Sequence, residues 1–392
     1  MLDLSLRDEA LTRRQLDAVD WDFPAAGTLR RSIHGLHWFA GNFIPPIPSY
    51  LIQLLSLPGQ VILDPFSGAG TTLVEAARLG RIAIGIDSNR ACAMIARGKL
   101  AAIGAPDEVT TIVNRHLQTL RSPLFNGGPV SDRRLDDTEL LQWFHPLTLA
   151  QLCTIWQQLD DVTDRDTREI LRVVFSDTLF TCAGPGRPET RGGGVRRHHW
   201  GWIADNVRTH TPVFHDAARI YATNASAAMD AIRNLGSTPG KAGVIIADSR
   251  ALPLPSASVD AIVTSPPYLG MIDYTLGHRL TYLWRGWSMQ SDRRREIGAR
   301  STRNRKDAVG EYLAAMSIIV SELERVLRPG GYCAIVIGAS RKFPEAVAKV
   351  TEAVDARLPL FWGPVGRKPT RRRVADRHAG AAIEYVSVFR KR

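Results

Sequence analysis

The chain contains little cysteine and no long apolar segment. Its four cysteines, Cys92, Cys153, Cys182 and Cys333, are scattered and form no CxxC pair, which excludes a disulfide framework and is typical of reduced thiols in the cytoplasm. The start of the chain, "MLDLSLRDEALTRRQLDAVDW", carries charges throughout, so it matches neither a signal peptide nor a membrane anchor. No run of about eighteen uncharged apolar residues follows. These absences predict a soluble, cytoplasmic protein without a membrane partner.

Acidic residues are also in deficit. Asp and Glu number 39 against 50 Lys and Arg, which gives a net charge of +11 over 392 residues. An excess of this size favours a polyanionic partner, most often nucleic acid. A basic balance that only keeps the protein in solution is the alternative. The length predicts one or two domains with an insertion.

Strands and helices alternate in two separate stretches, 32–104 and 243–392. The first opens with a βαβα unit, in which a buried strand from Val61 to Leu63 is followed by a Gly-rich turn, a helix, a second strand and another helix. The second stretch resumes the alternation with "GVIIADS", "DAIVTSPP", a long amphipathic helix and "GYCAIVIGAS". This pattern predicts a doubly wound, mostly parallel α/β sheet. Apolar spacing in 105–242 predicts a helical insertion, and 1–31 forms an N-terminal extension.

A Gly-rich turn, "LDPFSGAGTT", joins the first strand to the first helix of this unit. Asp64 ends the strand, and Gly68 and Gly70 let the backbone pass close to a ligand at the start of the helix. The sequence has no GxGxxG or Walker spacing here, and Asp64 would repel a pyrophosphate. A ligand with a cationic amine and no phosphate fits better. S-adenosylmethionine has both properties, so we predict it as the cofactor.

Two further aspartates end later strands of the predicted sheet. Asp87, in "GIDS", is placed to accept hydrogen bonds from ribose hydroxyls, and Asp248, in "IIADSRALPLP", is placed to face the adenine amino group. Each aspartate alone would also suit a helix cap. Acidic residues at three successive strand ends favour a ligand site.

The segment "TSPPYLG" follows a buried strand and predicts a catalytic corner. An exocyclic amino group of cytosine or adenine is a poor nucleophile until acceptors draw its N–H bonds and free the lone pair. Ser265 Oγ and a backbone carbonyl held by Pro266 and Pro267 can supply two such acceptors, because proline fixes φ and removes a competing donor. Tyr268 can stack on a base turned out of the duplex. The tetrapeptide alone would also suit a simple turn.

Together, DPFSGAGTT and TSPPY resemble the amino-methylating DNA methyltransferases, the cytosine-N4 and adenine-N6 enzymes. The resemblance covers both α/β stretches and implies a seven-stranded class I methyltransferase sheet that binds S-adenosyl-L-methionine and acts on double-stranded DNA. It implies catalytic roles for Ser265, Pro266, Pro267 and Tyr268. "HWFAGNFIPP" resembles the segment that closes over the cofactor, although a core position for its Phe43 is the alternative. The cofactor-binding residues expected from the residues and the resemblance together are Phe43, Asp64, Pro65, Phe66, Gly68, Gly70, Thr71, Thr72, Asp87, Ser88 and Asp248.

Serine at the first catalytic position is commoner in the cytosine-N4 enzymes, whereas aspartate or asparagine is usual for adenine-N6. We therefore predict a cytosine-N4 enzyme, with adenine-N6 as the alternative. A cytosine-C5 enzyme is excluded because the sequence has no Pro-Cys pair to supply a thiolate. An RNA guanine-N2 methyltransferase would usually add an RNA-binding module, and a silent DNA-binding subunit would not need intact catalytic positions. The resemblance also makes a cognate restriction endonuclease a candidate partner.

Many family members place the catalytic motif first, whereas here the cofactor motif comes first, which makes the helical insertion 105–242 the candidate target-recognition domain. Its "GPGRPETRGGGVRRHHWGW" combines guanidinium groups with stacking surfaces, and a second basic segment, "RRREIGARSTRNRKD", follows the catalytic corner. An ordinary solvated loop is the alternative for the first. We predict no metal site, since adjacent histidines rarely point the same way. The predicted DNA-binding residues are Arg187, Arg191, Arg196, Arg197, His199, Trp200, Arg300, Arg303 and Arg305.

Overall fold

The fold was described from a computed structural model of the chain. It describes residues 8–24, 32–104, 111–115, 117–118, 131–184, 197–208, 211–236, 238–338, 340, 342–368 and 383–392. None of the helices among these residues is both long and apolar enough to span a bilayer.

A single sheet organises the described residues. Its strands are β1 (Val61–Asp64), β2 (Ile82–Asp87), β3 (Lys241–Ile246), β4 (Val259–Thr264), β5 (Leu327–Gly338), β6 (Leu360–Arg367) and β7 (Glu384–Arg390). They lie in the order β3-β2-β1-β4-β5-β7-β6. β7 pairs antiparallel with both of its neighbours, and the other pairings are parallel. The seven-stranded, mostly parallel sheet predicted from the sequence is confirmed.

Helices follow most strands and cover both faces of the sheet. They are α1 (Glu9–Asp17), α2 (Pro46–Leu55), α3 (Thr71–Arg78), α4 (Arg90–Gly104), α5 (Pro146–Asp160), α6 (Arg165–Cys182), α7 (Trp200–Ala204), α8 (Ala217–Arg233), α9 (Tyr274–Gly277), α10 (Arg279–Arg285), α11 (Met289–Arg293), α12 (Ala308–Val326) and α13 (Ala346–Asp355). Short 3-10 turns occur at Ile33–Gly35, Arg133–Asp136, Leu140–Gln142 and Arg300–Thr302.

Successive side chains of the central strands point to opposite faces of the sheet, and each face has its own core. Ile62 and Val263 pack with α1, α2 and α3 on one face, whereas Leu63 and Ile262 pack with α12 and α13 on the other. All six residues of β4 are buried, because helices cover the strand on both sides. Successive side chains of a strand point to opposite faces, so the continuous apolar run that predicted these strands is what a doubly covered sheet requires.

The helices of the predicted insertion share one core with α3 and α4, the helices that follow β1 and β2. Phe175 of α6 and Tyr221 of α8 lie in the same buried cluster as Ile95 of α4 and Trp284 of α10. Helices α5 to α8 lie within the predicted insertion 105–242, and the domain boundaries stay a prediction. Helical apolar spacing predicts that a helix has a buried face without saying which neighbour covers it.

The N-terminal stretch is likewise part of the core where the structure describes it. Leu16 and Trp21 are buried against the sheet. The Trp362 indole N–H of β6 donates to Asp17 Oδ1 at 2.7 Å, and Arg367 Nε donates to the Trp21 carbonyl at 2.9 Å. The described part of this stretch therefore packs against β6.

Candidate active site

One cavity lies at the carboxyl ends of β1, β2 and β4. It contains about 900 Å³ of empty space, part of which is open to solvent. β1 lies between β2 and β4, where the chain changes direction across the sheet, and ligands bind at such a switch point in open α/β sheets. Its wall contains these residues predicted from the sequence: Phe43, Asp64, Pro65, Phe66, Gly68, Thr71, Thr72, Asp87, Ser88, Asp248, Ser265 and Pro267.

The loop after β1 is held onto the end of β2 by its backbone. The Gly68 amide donates to Asp87 Oδ2 at 2.9 Å, and the Ser67 amide donates to the Ile86 carbonyl at 3.0 Å. Gly70, which does not line the cavity, caps α3 in the left-handed region with φ 78°. A Cβ at Gly70 would lie 3.0 Å from the Ala96 Cβ, so glycine lets α4 pack against the loop.

Two carboxyl groups of this wall, the buried Asp64 and the half-buried Asp87, accept hydrogen bonds from neighbouring donors. Asp64 Oδ1 accepts from Thr264 Oγ1 at 2.6 Å and from the Phe66 amide at 3.1 Å. Asp87 Oδ1 accepts from the Asn89 amide at 2.8 Å. Burial raises the pKa of Asp64 to about 6 and that of Asp87 to about 6, although these hydrogen bonds act in the opposite direction. A cationic ligand in the cavity would favour the ionised form of both groups.

Asp248 lies in the same wall but differs from the expectation. β3 ends at Ile246, so the prediction that Asp248 ends the strand is wrong by two residues. The Asp248 carboxylate pairs with Arg250 at 2.6 Å. Partial burial opposes its ionisation, but hydrogen bonds and charge from Arg250 hold the Asp248 pKa below its ordinary value. An adenine contact for Asp248 stays a prediction.

The predicted catalytic corner directly follows β4. Ser265 and Pro267 line the cavity, whereas Pro266 is buried and Tyr268 is half-buried against the core beneath α12. Ser265 Oγ donates to Tyr268 Oη at 3.3 Å. Ser265 of the corner and the loop after β1 therefore line the same cavity. Stacking of Tyr268 on a base stays a prediction.

Phe43 reconciles the two interpretations that the sequence left open. Its ring lines the cavity and is also packed against the core on the α2 face. The segment "HWFAGNFIPP" thus contributes to the pocket, as the resemblance implies.

The structure adds wall residues that sequence reasoning missed. Asn89 Nδ2 donates to Thr275 Oγ1 at 3.1 Å, and Tyr282 Oη donates to Asn89 Oδ1 at 3.1 Å and to Asp292 Oδ2 at 2.5 Å. This polar network joins the end of β2 to the connection that follows the catalytic corner. Other wall residues outside the prediction are Phe39, Gly41, Asn42, Ser67, Ala69, Cys92, Ser249, Tyr274, Arg295, Glu296 and Ile297.

Glu296 is the most chemically notable of these residues. Its Oε1 accepts from the Tyr274 amide at 2.5 Å, and burial raises its pKa to about 7. The one signal in the sequence is that Glu296 is an acidic residue directly after a run of arginines, "RRRE". A carboxylate repels phosphate, so an acidic residue there is better suited to a hydrogen bond inside the protein than to DNA contact.

The predicted DNA contacts fall into three groups. Arg187, Arg191 and Arg196 lie outside the described residues. Arg197 forms a bidentate pair with Asp177 at 2.6 and 2.8 Å, the His199 ring caps α7, and Trp200 is buried.

These last three side chains make contacts within the chain, and their part in DNA binding stays a prediction. His199 caps the short helix α7, and Arg197 forms an ion pair with Asp177 of α6. The sequence pattern does not distinguish these roles from phosphate binding.

The second basic segment lies beside the catalytic corner. The Cβ atom that Gly270 lacks would lie 3.1 Å from the Arg303 Cβ, and Ser301 Oγ donates to Asp273 Oδ1 at 2.7 Å. Arg300 pairs with Asp205 at 3.2 Å and Arg305 with the exposed Glu311 at 3.4 Å. The segment thus passes beside Gly270, which closely follows the catalytic corner, and DNA contact by its arginines stays a prediction.

No group of three or more His, Cys, Asp and Glu side chains is arranged to hold a metal ion among the residues that the structure describes. The four cysteines are reduced and buried.

The sheet order with its antiparallel β7, and a cavity at the β1–β4 switch point, define a class I methyltransferase fold. Residues 37–97 match a model of the N6/N4 methyltransferases described as DNA methylase. These residues include the β1 loop and the end of β2. The match confirms the predicted resemblance to the amino-methylating DNA methyltransferases, and with it S-adenosyl-L-methionine as the cofactor.

Curated relatives agree with this family. The chain is 21% identical to the Type II methyltransferase M.MjaII of Methanocaldococcus jannaschii, over 81% of this chain and 75% of that protein. It is 46% identical to the Type II methyltransferase M2.DpnII of Streptococcus pneumoniae over 68 residues, which are 16% of this chain and 25% of that protein. A similar stretch, 42% identical over 66 residues, matches M2.LlaDCHI of Lactococcus lactis subsp. cremoris, covering 16% and 24% of the two chains.

Proposed function

We propose that this protein is a site-specific DNA methyltransferase that transfers a methyl group from S-adenosyl-L-methionine to the N4 amino group of a flipped cytosine. The observation that carries the proposal is the single cavity shared by the β1 loop and by Ser265 and Pro267 after β4. Methyl donor and amine must meet within bonding reach for a direct displacement. One shared cavity supports that meeting.

The residues present fit the cofactor. Burial disfavours the ionised forms of Asp64 and Asp87. A cationic ligand beside them would stabilise those ionised forms. In the proposed site, Asp87 holds the ribose hydroxyls and the loop of Asp64, Gly68 and Gly70 holds the methionine end. Phe43, which also lines the cavity, would contact the cofactor. When bound, S-adenosyl-L-methionine supplies an electrophilic methyl group.

The corner after β4 prepares the amine. Ser265 Oγ donates its proton to Tyr268 Oη at 3.3 Å, so its lone pairs can accept an N–H of the target base, and a backbone carbonyl of the corner can accept the other N–H. Both acceptors draw electron density toward nitrogen, so its lone pair becomes available for attack. The methyl group would pass to nitrogen as its bond to sulfur breaks, the electron pair of that bond would stay on sulfur, and the methylated amino group would release one proton to solvent. No covalent bond to the protein is needed.

Duplex DNA is the proposed substrate. The arginines beside Gly270 can neutralise phosphates next to the cavity, and extrusion of the base would bring its amino group to Ser265. We further propose a restriction–modification context with a cognate endonuclease, which the Type II names of the relatives support. The helical insertion remains the proposed target-recognition region.

The direct test is methyl transfer from labelled S-adenosyl-L-methionine to unmethylated duplex DNA, followed by digestion and separation of the nucleosides. The expected label is on N4-methylcytosine. Label on N6-methyladenine would replace the proposed base with the alternative one. Label on RNA alone would contradict DNA as substrate, and the absence of transfer would favour a silent DNA-binding subunit.

Ser265→Ala tests the acceptor role. We expect kcat to fall by about a hundredfold or more, as on loss of a transition-state hydrogen bond, while the cofactor Kd stays within about twofold. Ser258→Ala is the matched control, since Ser258 precedes the opposite end of the same strand and its hydroxyl donates to the Pro255 carbonyl, away from the cavity. An equal loss of kcat and cofactor affinity in Ser265→Ala would make that residue structural.

A further inference from the structure

Tyr312, in the first turns of α12, reaches the catalytic corner from behind. Its side chain is 2% exposed, and its Oη donates to the Pro267 carbonyl at 3.0 Å. The ring belongs to the core cluster on the α12 face of the sheet, together with Ile262 of β4. Tyr312 thus connects a rigid helix to a residue of the cavity wall.

A second contact fixes the other side of the Tyr312 ring. Gly298 adopts φ +65°, and a Cβ there would lie only 3.0 Å from Tyr312 Cδ2. The Gly298 carbonyl accepts from the Gly270 amide at 2.8 Å. The phenol ring is therefore held between α12 and a backbone segment that itself bonds to the chain leaving the corner.

The Pro-Pro corner needs such an external donor. Proline fixes φ, but it leaves ψ free and removes the N–H groups that would otherwise tie the turn to its surroundings. The direction of the Pro267 carbonyl, and with it the peptide plane leading to Tyr268, is then set by whatever donor the fold supplies. Here that donor is the Tyr312 hydroxyl.

We propose that Tyr312 is a positioning residue for methyl transfer, which orients the Pro266–Pro267 corner and thereby the Ser265 hydroxyl through its hydrogen bond to the Pro267 carbonyl. The inference rests on the proposed function, since it concerns the same site. Tyr312 lies behind the cavity wall and touches neither the methyl donor nor the amine. Its effect is confined to the geometry of the groups that do.

Tyr312→Phe removes the hydroxyl and keeps the ring. Because a small misplacement of reacting groups slows a reaction more than it weakens binding, we expect kcat to fall about tenfold. The KM for DNA and the cofactor Kd should stay within about twofold. Steady-state kinetics with the full chain and calorimetric titration with S-adenosyl-L-methionine measure both.

Tyr332→Phe is the matched control. Tyr332 is a fully buried tyrosine on β5, but it packs on the opposite face of the sheet, with Phe361 and the α1 helix. Its kcat should equal that of the unmodified protein. If both variants lower kcat in proportion to their loss of thermal stability, Tyr312 acts only through packing and the proposal is overturned. An unchanged kcat in Tyr312→Phe overturns it equally.

Hydrogen exchange separates this inference from the proposed function. If the unmodified protein methylates neither DNA nor RNA, the proposed function fails, and exchange then decides the positioning claim. Amides of Leu269, Gly270 and Met271 should exchange about tenfold faster in Tyr312→Phe than in Tyr332→Phe, since they follow the released carbonyl. Equal exchange in the two variants would overturn the claim for an inactive protein.

Discussion

At the scale of single residues, the sequence predicted the cavity side chains that lie at the carboxyl ends of strands. Asp64 ends β1 and Ser265 directly follows β4, and parallel strands place their carboxyl ends at one edge, so their meeting in one cavity could be expected. Glu296 and Asn89 could not be found in this way. Their place in the wall depends on how the connection after the corner folds back on β2, and that path is set by contacts between distant residues such as Tyr282 and Asn89.

The carboxyl groups of the cavity predict a pH-dependent affinity for the cofactor. Burial raises the pKa of Asp64 to about 6 and that of Asp87 to about 6, from an ordinary value of about 4. Between about pH 4 and pH 6 the folded, empty protein binds more protons than the unfolded chain, so its free energy of unfolding falls as pH rises through that window. A cationic cofactor requires the ionised groups. Its Kd should therefore be about tenfold higher at pH 5 than at pH 7 for each carboxyl group that must ionise.

Calorimetric titration with S-adenosyl-L-methionine between pH 5 and pH 8 measures this dependence. Asp64→Asn should bind more weakly at pH 7 and with a flatter pH profile. Asp248→Asn is the control, because the Asp248 pKa is already below its ordinary value beside Arg250 and does not titrate in this range. A Kd that stays constant from pH 5 to pH 7 would contradict a role for the buried carboxylates.

At the scale of elements, apolar runs predicted the strands well and their interruptions less well. The Pro329-Gly330-Gly331 sequence suggests a break before a strand, yet β5 continues through it from Leu327. The pairing with β4 shifts register between Val259 and Ala261, so the extra residues form an irregularity within the strand. Glycine and proline in a strand often mark such a bulge, but a turn has the same composition. Only the pairing partner decides between them.

Substitution of two glycines, Gly70 in the loop between β1 and α3 and Gly59 before β1, should lower the free energy of unfolding by different amounts. Gly70 and Gly59 both have positive φ, 78° and 81°, but a Cβ at Gly70 would lie 3.0 Å from the Ala96 Cβ whereas nothing lies within 4 Å at Gly59. Gly59→Ala should therefore lower the free energy of unfolding by about 1 kcal/mol through backbone strain alone. Gly70→Ala should lower it by about 1–3 kcal/mol more, because α4 must move. It should also weaken cofactor binding.

Urea unfolding of the two variants measures the difference, and cofactor titration follows the effect on the loop. Equal destabilisation by the two substitutions would mean that α4 does not restrain the loop. Cofactor affinity unchanged in Gly70→Ala would mean that the loop after β1 is not the binding element.

At the scale of the whole molecule, the domain organisation stays a prediction from patterns along the chain. The insertion and the N-terminal stretch were separated along the chain by their patterns, but Phe175, Ile95 and Leu16 lie in cores that include the sheet or its helices. Helical periodicity carries no information on which neighbour a helix meets. The net charge of +11 concerns solubility and association and is independent of fold.

This charge predicts a salt dependence that can be assigned to one edge of the molecule. Each phosphate contact adds about 0.9 to the slope of log K against log salt concentration. Arg305 follows the catalytic corner and pairs with the exposed Glu311. Arg357 has a similar exposed pair with Glu324, but it precedes β6 at the opposite edge of the sheet. Exposed pairs of this kind contribute little to stability, so both substitutions to alanine should leave the fold intact.

Fluorescence anisotropy with a duplex oligonucleotide, titrated over a range of salt concentrations, compares the two arginine variants. Arg305→Ala should weaken binding and reduce the slope by about one, whereas Arg357→Ala should leave the slope unchanged. Equal slopes for both variants would mean that the edge beside Ser265 does not contact phosphates. A reduced slope in Arg357→Ala alone would place the duplex at the edge of the sheet away from the cavity, where no base could reach the corner, and it would contradict the proposed route of DNA to the active site.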